Sequence, residues 1–313
     1  MPNSTTISGF DQMAQTYYNE IAQDRLVANF VHYNFCNHQK VPLNAGQTFQ
    51  SYQFKNIAAQ TNPIAEDSLT ANQVQMSAVV NSVLMQVYGG FVTLSSFAIF
   101  TERTSLMDAT VDVLADAASD TVDQLIRNNF TANATVRYTG GKTSAQLLST
   151  DIMTTSELRS LFKLFRSNKV KPFRDGQKYV YVCSPLQAGD LISDDTVGGF
   201  AATNQYQNAK QVFQNELGSL AGFRIVDTPN TASTAVNGIT CYQSLAIGEN
   251  ANTTVDLNAG NPIQIIAKEP GSGGTSDPMN NIATVAFKLP GFAVLWYGFD
   301  GPRAYVETTP ANS

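Results

Sequence analysis

A chain of 313 residues with 43% hydrophobic side chains has enough apolar surface to bury a substantial core, in one large domain or two modest ones, and this excludes a disordered polypeptide. Only 14% of its residues are charged, against roughly 25% in an average soluble protein, so its surface is rich in amides and hydroxyls that cost little to desolvate against a partner. A net charge of −6 with a pI near 4.9 argues against a DNA-binding enzyme or regulator, which needs a basic surface to displace counterions.

The first residues, Met-Pro-Asn-Ser-Thr-Thr, have neither the basic start nor the apolar run of a signal peptide, and no stretch reaches the roughly 18 apolar residues of a membrane span. No membrane insertion is expected. Residues 10–35 predict a helical arm, with Tyr17, Ile21, Leu26, Phe30 and Val31 at mixed helical spacings. Pro42 and Gly46 then punctuate the chain, and Thr48–Phe54 has strand composition without clean alternation, so neither face is committed to burial. Residues 73–78 alternate properly, and a flip of apolar phase between Val80 and Val83 predicts a bulge or bend. Together the two strands predict a long hairpin. Residues 56–72 between them, with Pro63, exceed the roughly 12–15 residues of a connection in a compact domain. A ribbon that buries no face by itself is marginal in water, so it is expected either to be a mobile loop or to lie across a neighbouring subunit.

Residues 106–130 predict the strongest helix of the chain, about 38 Å long at 1.5 Å per residue. Met107, Val111, Leu114, Ala118, Val122 and Leu125 form its apolar stripe, and Ser105 with Asp108 predicts its cap. Asp108, Asp112, Asp116 and Asp120 recur every four residues, where like charges cost roughly 0.2–0.5 kcal/mol per pair in an isolated helix. Either this is a solvated face satisfied by nearby cations, or it has a purpose outside the fold. A second helix opens at Thr154, where Glu157 completes a capping-box spacing, and buries Leu158, Leu161, Phe162 and Phe165. Its other face begins a basic cluster: Arg159, Lys163, Arg166, Lys169, Lys171, Arg174 and Lys178 fall within twenty residues holding a single acid, Asp175. No aromatic stands beside them in a stacking pattern, which favours intersubunit pairing or plain solvation over nucleic-acid binding.

Residues 178–183 predict a buried strand, followed by a short helix after Pro185. The C-terminal third predicts strands at 262–266, 282–287, 292–297 and 303–306, with turns at 271–274, Pro290-Gly291 and 300–302, and these make an antiparallel sheet. The class is α+β, without a repeated period.

Chemistry is sparse. The three cysteines, Cys36, Cys183 and Cys241, are widely spaced and odd in number, so reduced thiols are expected, which fits a reducing cytoplasm. Two histidines leave few candidates for acid–base work, and the spacing of His32, Cys36 and His38 matches no structural zinc pattern and supplies no fourth ligand. Gly140-Gly141-Lys142-Thr143 resembles the end of a phosphate-binding loop, but Val136 stands where its first glycine belongs. Residues 270–274 lack the first glycine of a nucleophile elbow and no histidine follows them, and Asp194-Asp195 is too little for a calcium loop. No catalytic residue, cofactor or metal is predicted.

Four motifs in order carry a family resemblance. Tyr206-Gln207-Asn208-Ala209 followed by residues 216–228, from Glu216-Leu217-Gly218 through Ala221-Gly222-Phe223 to Asp227-Thr228, is similar to the central signature of the tailed-phage major capsid proteins related to that of the podophage N-four. Ser276-Asp277-Pro278-Met279 with residues 283–288, Lys40-Val41-Pro42 with residues 46–49, and Tyr88-Gly89-Gly90 resemble further blocks of that family, so the likeness spans roughly residues 33–306. The resemblance implies the Hong Kong 97-type capsid fold: an N-terminal arm at 1–38, an extended loop with the first strands of the peripheral domain at 39–90, the spine helix and peripheral domain at 91–139, an axial domain at 140–240, and a last axial strand with the return to the peripheral sheet at 241–313.

It also implies a non-enzymatic role, self-assembly as hexamers and pentamers into an icosahedral virion shell around double-stranded DNA that is bound without sequence specificity. Assembly in the host cytoplasm is implied, with a separate scaffolding protein or none, and with portal and decoration proteins as further partners. The acidic stripe would then face packaged DNA or pair with a neighbour's basic residues. Expected intersubunit contacts are Phe49, Tyr52, Phe54 and Lys55 of the hairpin and Arg159, Lys163 and Arg166 of the basic helix. No cross-linking pair is identified, although Lys55 lies near the loop. A phage tail, decoration or surface-layer protein is the alternative; it shares the low charge and the strands but needs no long spine helix.

Overall fold

The computed structural model describes residues 31–44, 46–55, 57–64, 66, 74–101, 105–173, 178–194, 216–257, 263–272, 277–298 and 302–311. Most of the expected arm helix and the motif at Tyr206 lie outside these residues, as does Arg174; within the arm, Tyr33–Phe35 form one turn of 3-10 helix. The first strands are β1 (Asn37–Val41), β2 (Thr48–Phe54), β3 (Ala78–Leu84), β4 (Gln86–Ser95) and β5 (Thr135–Tyr138). There follow β6 (Tyr179–Cys183), β7 (Glu216–Leu220), β8 (Phe223–Asp227), β9 (Ala232–Val236) and β10 (Ile239–Ile247). The last are β11 (Asn252–Leu257), β12 (Gln264–Lys268), β13 (Ile282–Trp296) and β14 (Ala304–Pro310). Helices are α1 (Ser96–Thr101), α2 (Leu106–Asn133), α3 (Thr155–Ser167) and α4 (Pro185–Ile192).

The chain forms two compact units, each gathered from three segments. One takes the described residues of Met1–Gln47 with Met85–Asn128 and Thr254–Val294; the other takes Thr48–Leu84, Asn129–Thr253 and Leu295–Ser313. The first unit is built on a sheet of order β1-β11-β13-β12, with β4 also on β13. Strand β13 runs antiparallel to both β12 and β4. It passes straight through Pro290-Gly291, where a turn was expected. The dipeptide is instead a register shift against β4 between Leu289 and Phe292, and a bulge is where a strand tolerates a residue that has no N–H to donate.

Helix α2 is 28 residues long, about 42 Å at 1.5 Å per residue. Its stripe is buried at Val111, Leu114, Ala118 and Val122, and then passes through Ile126 and Phe130, while Leu125 is only half-buried. The apolar steps of three and four simply continue beyond the point where the stripe was expected to end.

The second unit holds a sheet of order β5-β14-β10-β6-β8-β7, with β9 on β10. It is mixed: β5 runs parallel to β14 and β6 parallel to β8. The C-terminal strands are therefore shared between two sheets and do not form the single antiparallel sheet expected from the turn signals. Helix α3 covers the second sheet with Leu158, Leu161 and Phe165, which meet Tyr179, Tyr181, Phe223, Ile225 and Tyr305 in one buried cluster. The Phe165 ring lies 4.7 Å from Tyr179, 5.5 Å from Phe223 and 5.2 Å from Tyr305 between centroids, and tilted pairs of this kind add roughly 0.5–1.5 kcal/mol beyond their area. Phe162 is half-buried and packs at the rim of the cluster.

The capping box expected at Thr154 does not form, since Thr154 makes no side-chain cap. Glu157 turns away to Arg137 at 2.9 Å, and Asp194 Oδ2 accepts the Thr155 N–H at 2.7 Å in its place. A true capping box closes the start of α4, from Ser184 and Gln187. Strands β7 and β8 are joined by Ala221 and Gly222 at φ +49° and +85°, the paired left-handed conformation of a tight hairpin turn.

Candidate assembly surface

Strands β2 and β3 form a two-stranded antiparallel sheet in unbroken register from Thr48↔Leu84 to Phe54↔Ala78. The bulge expected between Val80 and Val83 is absent, because the phase flip falls where both faces remain accessible and neither demands a shift. Alternation is now visible in the accessibility. Phe49, Ser51 and Gln53 line the more covered face with Val79, Asn81 and Val83 opposite, where Asn81 Nδ2 donates to Gln53 Oε1 and the Tyr297 hydroxyl donates to Ser51 Oγ at 2.8 Å. The other face carries Tyr52 opposite Val80, and Phe54 opposite Ala78, with Tyr52 65% and Phe54 58% exposed. Leu84 sits on the same face, and Ile57, Ile64 and Met76 extend the apolar exposure beyond the strands. Lys55 is exposed at the hairpin's far end, its N–H closing the ribbon on the Ser77 carbonyl. Large apolar side chains at this density on a two-stranded ribbon make its open face a candidate contact surface. Of the four residues expected to make contacts there, the structure puts Tyr52 and Phe54 on the open face, Phe49 on the covered face and Lys55 at the end.

The second surface is the outer flank of α3. Arg159, Lys163 and Arg166 fall on one exposed face, and Lys169 and Lys171 are exposed just past the helix end. No Asp or Glu lies between Leu158 and Lys171. Arg166 holds its guanidinium 5.3 Å from the Phe162 ring and 5.9 Å from the Tyr179 ring, so part of its role is to cover the aromatic cluster. Glu157, the acid at the start of the helix, points to Arg137 instead of this face.

His32, Cys36 and His38 are not brought together as ligands. His32 Nδ1 lies 2.7 Å from Asp123 Oδ2, and its backbone N–H donates to Oδ1 of the same carboxylate, with both side chains buried. His38 Nδ1 lies 2.7 Å from Thr254 Oγ1, its ring stacks on Tyr33, and burial lowers its pKa. Burial and the nearby Asp123 charge push the Cys36 thiol up, which leaves it a packing group. Among the described residues no three His, Cys, Asp or Glu side chains gather into a metal site, and no helix is long and apolar enough to cross a membrane. Residues 139–141 form a 3-10 turn with Gly140 and Gly141 at positive φ, and Lys142 bonds Asp151 at 2.6 Å.

Sequence reasoning weighed Asp194 only as a calcium ligand and passed over Arg137. Asp194 carried no local signal, while the single arginine of the alternating run Thr135–Tyr138 was the one available hint that its partner would be an acid.

Residues 80–308 match the model of a family described as phage capsid protein, well over half of the chain. No curated protein matches the chain by direct sequence comparison. Among solved structures, the capsid of Ralstonia phage GP4 superposes with a TM-score of 0.70 at 16% identity, covering 92% of this chain and 91% of that one. The head of Helicobacter pylori bacteriophage KHP40 gives 0.64 at 10% identity over 91% of both chains, and the capsid of cyanophage Pam1 gives 0.63 at 14% over 86% of both. With a spine-like α2, a hairpin that leaves one face open and a second unit of mixed sheet all present, the chain belongs to the phage capsid protein family and has the Hong Kong 97-type fold of a major capsid protein of the phage shell.

Proposed function

We propose that copies of this chain associate as hexamers and pentamers and close into an icosahedral shell around double-stranded DNA, through two surfaces of each copy. The observation that carries this reading is the open face of the β2–β3 hairpin, where Tyr52, Phe54, Val80 and Leu84 stand exposed on a ribbon with no second layer of its own. A two-stranded sheet in that condition is marginal in water and gains burial by lying on a neighbouring copy. The basic face of α3 supplies the second contact, with Arg159, Lys163 and Arg166 meeting acidic surface of an adjacent subunit. Lys55 and Phe49 flank the hairpin contact.

In this reading residues 1–38 are the arm, 39–90 the extended loop and first peripheral strands, 91–139 the spine and peripheral domain, 140–240 the axial domain, and 241–313 the return. The role is structural and non-enzymatic, within the N-four-like branch of the family on the strength of its motifs. Assembly takes place in the host cytoplasm with scaffolding, portal and decoration proteins as partners, and the acidic flank of α2 faces the genome or a neighbour's cations. The experiment is expression of the full chain, alone and with a candidate scaffolding protein, followed by size exclusion and negative-stain microscopy. Closed shells are the expected product. Open tubes or flat lattices would place the chain in a tail or surface layer, and a stable monomer at high concentration would overturn the reading.

A further inference from the structure

Two carboxylates in the second unit share one guanidinium. Arg137, on β5, donates from Nη1 to Glu307 Oε2 on β14 at 3.2 Å, and from Nη2 to Glu157 Oε2 on α3 at 2.9 Å. Ser160 Oγ accepts a further bond from Nη2 at 3.0 Å. With every group ionised, one cation and two anions leave a net −1 in a place almost closed to water: the Glu307 side chain is 0% exposed, against 15% for Arg137 and 16% for Glu157. Oε1 of Glu307 has no hydrogen-bond partner among the described residues. A buried carboxylate oxygen without a donor is a poor place for charge and a good place for a proton. The neighbouring strands do not supply the missing cation. Ser244 on β10 stands opposite Glu307 in the ladder, and Tyr181 on β6 is an acid whose hydroxyl is itself pushed up by burial and by the Glu307 charge.

We propose that Arg137, Glu157 and Glu307 form a one-proton site whose proton is carried by Glu307, and that its loss loosens the junction of β5, β14 and α3. The balance is simple: deprotonation releases one proton to solvent and takes the cluster from neutral to −1. The proton falls to Glu307 because its carboxyl is fully buried and its Oε1 has no donor among the described residues, whereas the Glu157 side chain is partly exposed. Burial is the main cause that raises the Glu307 carboxyl from its usual 4.5 to about 7; Arg137 opposes this and Glu157 adds to it. For a group raised in the folded state, stability is full below the unfolded value and is lost as pH climbs through the folded one. The loss therefore runs from 4.5 to about 7 and then stops. Every group of the cluster belongs to one copy, so the proton site stands whether or not the proposed shell does.

The test is chemical unfolding of the full chain across that range, followed by Trp296, the chain's single tryptophan, which lies in the same unit with its ring edge-on to Phe130 at 6.1 Å. The wild-type unfolding constant is expected to grow by up to about tenfold per pH unit within the window. Glu307→Gln, a neutral isostere, is expected to match wild type in acid and to lack this component above it. Other carboxylates titrate in both proteins, so the readout is the difference between the two curves. A difference that does not vary with pH overturns the proposal. Infrared titration of the folded wild type keeps the proposal testable even if the variant misfolds: Asp256, raised by burial to about 6, gives a protonated-carboxyl band of its own, so a band that bleaches near pH 7 and moves in Glu157→Gln supports the site, and the absence of any such band at pH 6 refutes it. Glu157→Gln is expected to shift that bleaching to lower pH, since it removes a repelling neighbour.

Discussion

Gly89 and Gly222 show what a missing side chain can hold. A Cβ on Gly89 would sit 2.6 Å from the Phe287 carbonyl oxygen, so any larger residue pushes β4 off β13. Backbone cannot step aside as a side-chain tip can, and Gly89→Ala is expected to cost about 2–3 kcal/mol in urea unfolding. At Gly222 the φ of +85° is joined by the Phe162 ring, which a Cβ would overlap, so Gly222→Ala meets both strain and a clash and is expected to cost a similar ~2–3 kcal/mol. Both glycines stand in motifs that carried the family resemblance. The motifs marked them as special, yet what each one faces is set by chain more than forty residues away and has no local trace. Asp194 is the converse case. It caps α3 from beyond α4, and Asp194→Ala is expected to lower stability by ~1 kcal/mol, while Thr154→Ala, the cap the spacing pointed to, is expected to change it far less. The local pattern Thr-x-x-Glu was satisfied in letter, but Arg137 offered Glu157 a charged partner and won it.

At the scale of elements, local pattern and tertiary demand agree where an element buries one continuous face. The stripe of α2 and the fully buried β6 were both legible for this reason, one by steps of three and four and the other as an unbroken apolar run. They diverge in β13. Pro290-Gly291 has the local chemistry of a turn, but β4 is hydrogen-bonded on both sides of the dipeptide, and a ladder of that length outweighs a two-residue preference. The β2–β3 hairpin was legible as a ribbon, although its register was not, because a strand with two accessible faces gives no phase to read. Its exposed face makes a prediction at this scale. Replacing Tyr52, Phe54, Val80 and Leu84 together with Ser removes apolar groups that touch little of their own unit. The unfolding midpoint read from Trp296 is expected to stay within about 1 kcal/mol of wild type. Shell yield by sedimentation and microscopy is expected to collapse. Shells at wild-type yield would show that the ribbon is merely a surface loop.

For the whole molecule the informative quantity is how charge is distributed, not its total. The chain carries −6, yet Arg159, Lys163, Arg166, Lys169 and Lys171 stand exposed within thirteen residues, which leaves −11 for everything else. Two copies presenting this patch to one another repel. In the proposed shell, a head-to-tail arrangement would set it against acidic surface, and a heterologous contact of that kind closes into rings when its rotation allows. The composition announced low charge overall and the sequence placed the cations in one stretch; only the helix phase showed that Arg159, Lys163 and Arg166 share a face while Glu157 leaves it. Lys163→Glu combined with Lys171→Glu tests the arrangement without touching Arg166, whose guanidinium also covers Phe162 and Tyr179. Assembly of this variant, followed by light scattering, is expected to fall several-fold at about 0.1 M salt. The deficit is expected to shrink toward about 1 M, because the Debye length drops from about 10 to 3 Å and screens attraction in the wild type and repulsion in the variant alike. A deficit that persists unchanged at high salt would mean that the two lysines act through packing, and that the head-to-tail contact is held by the hairpin alone.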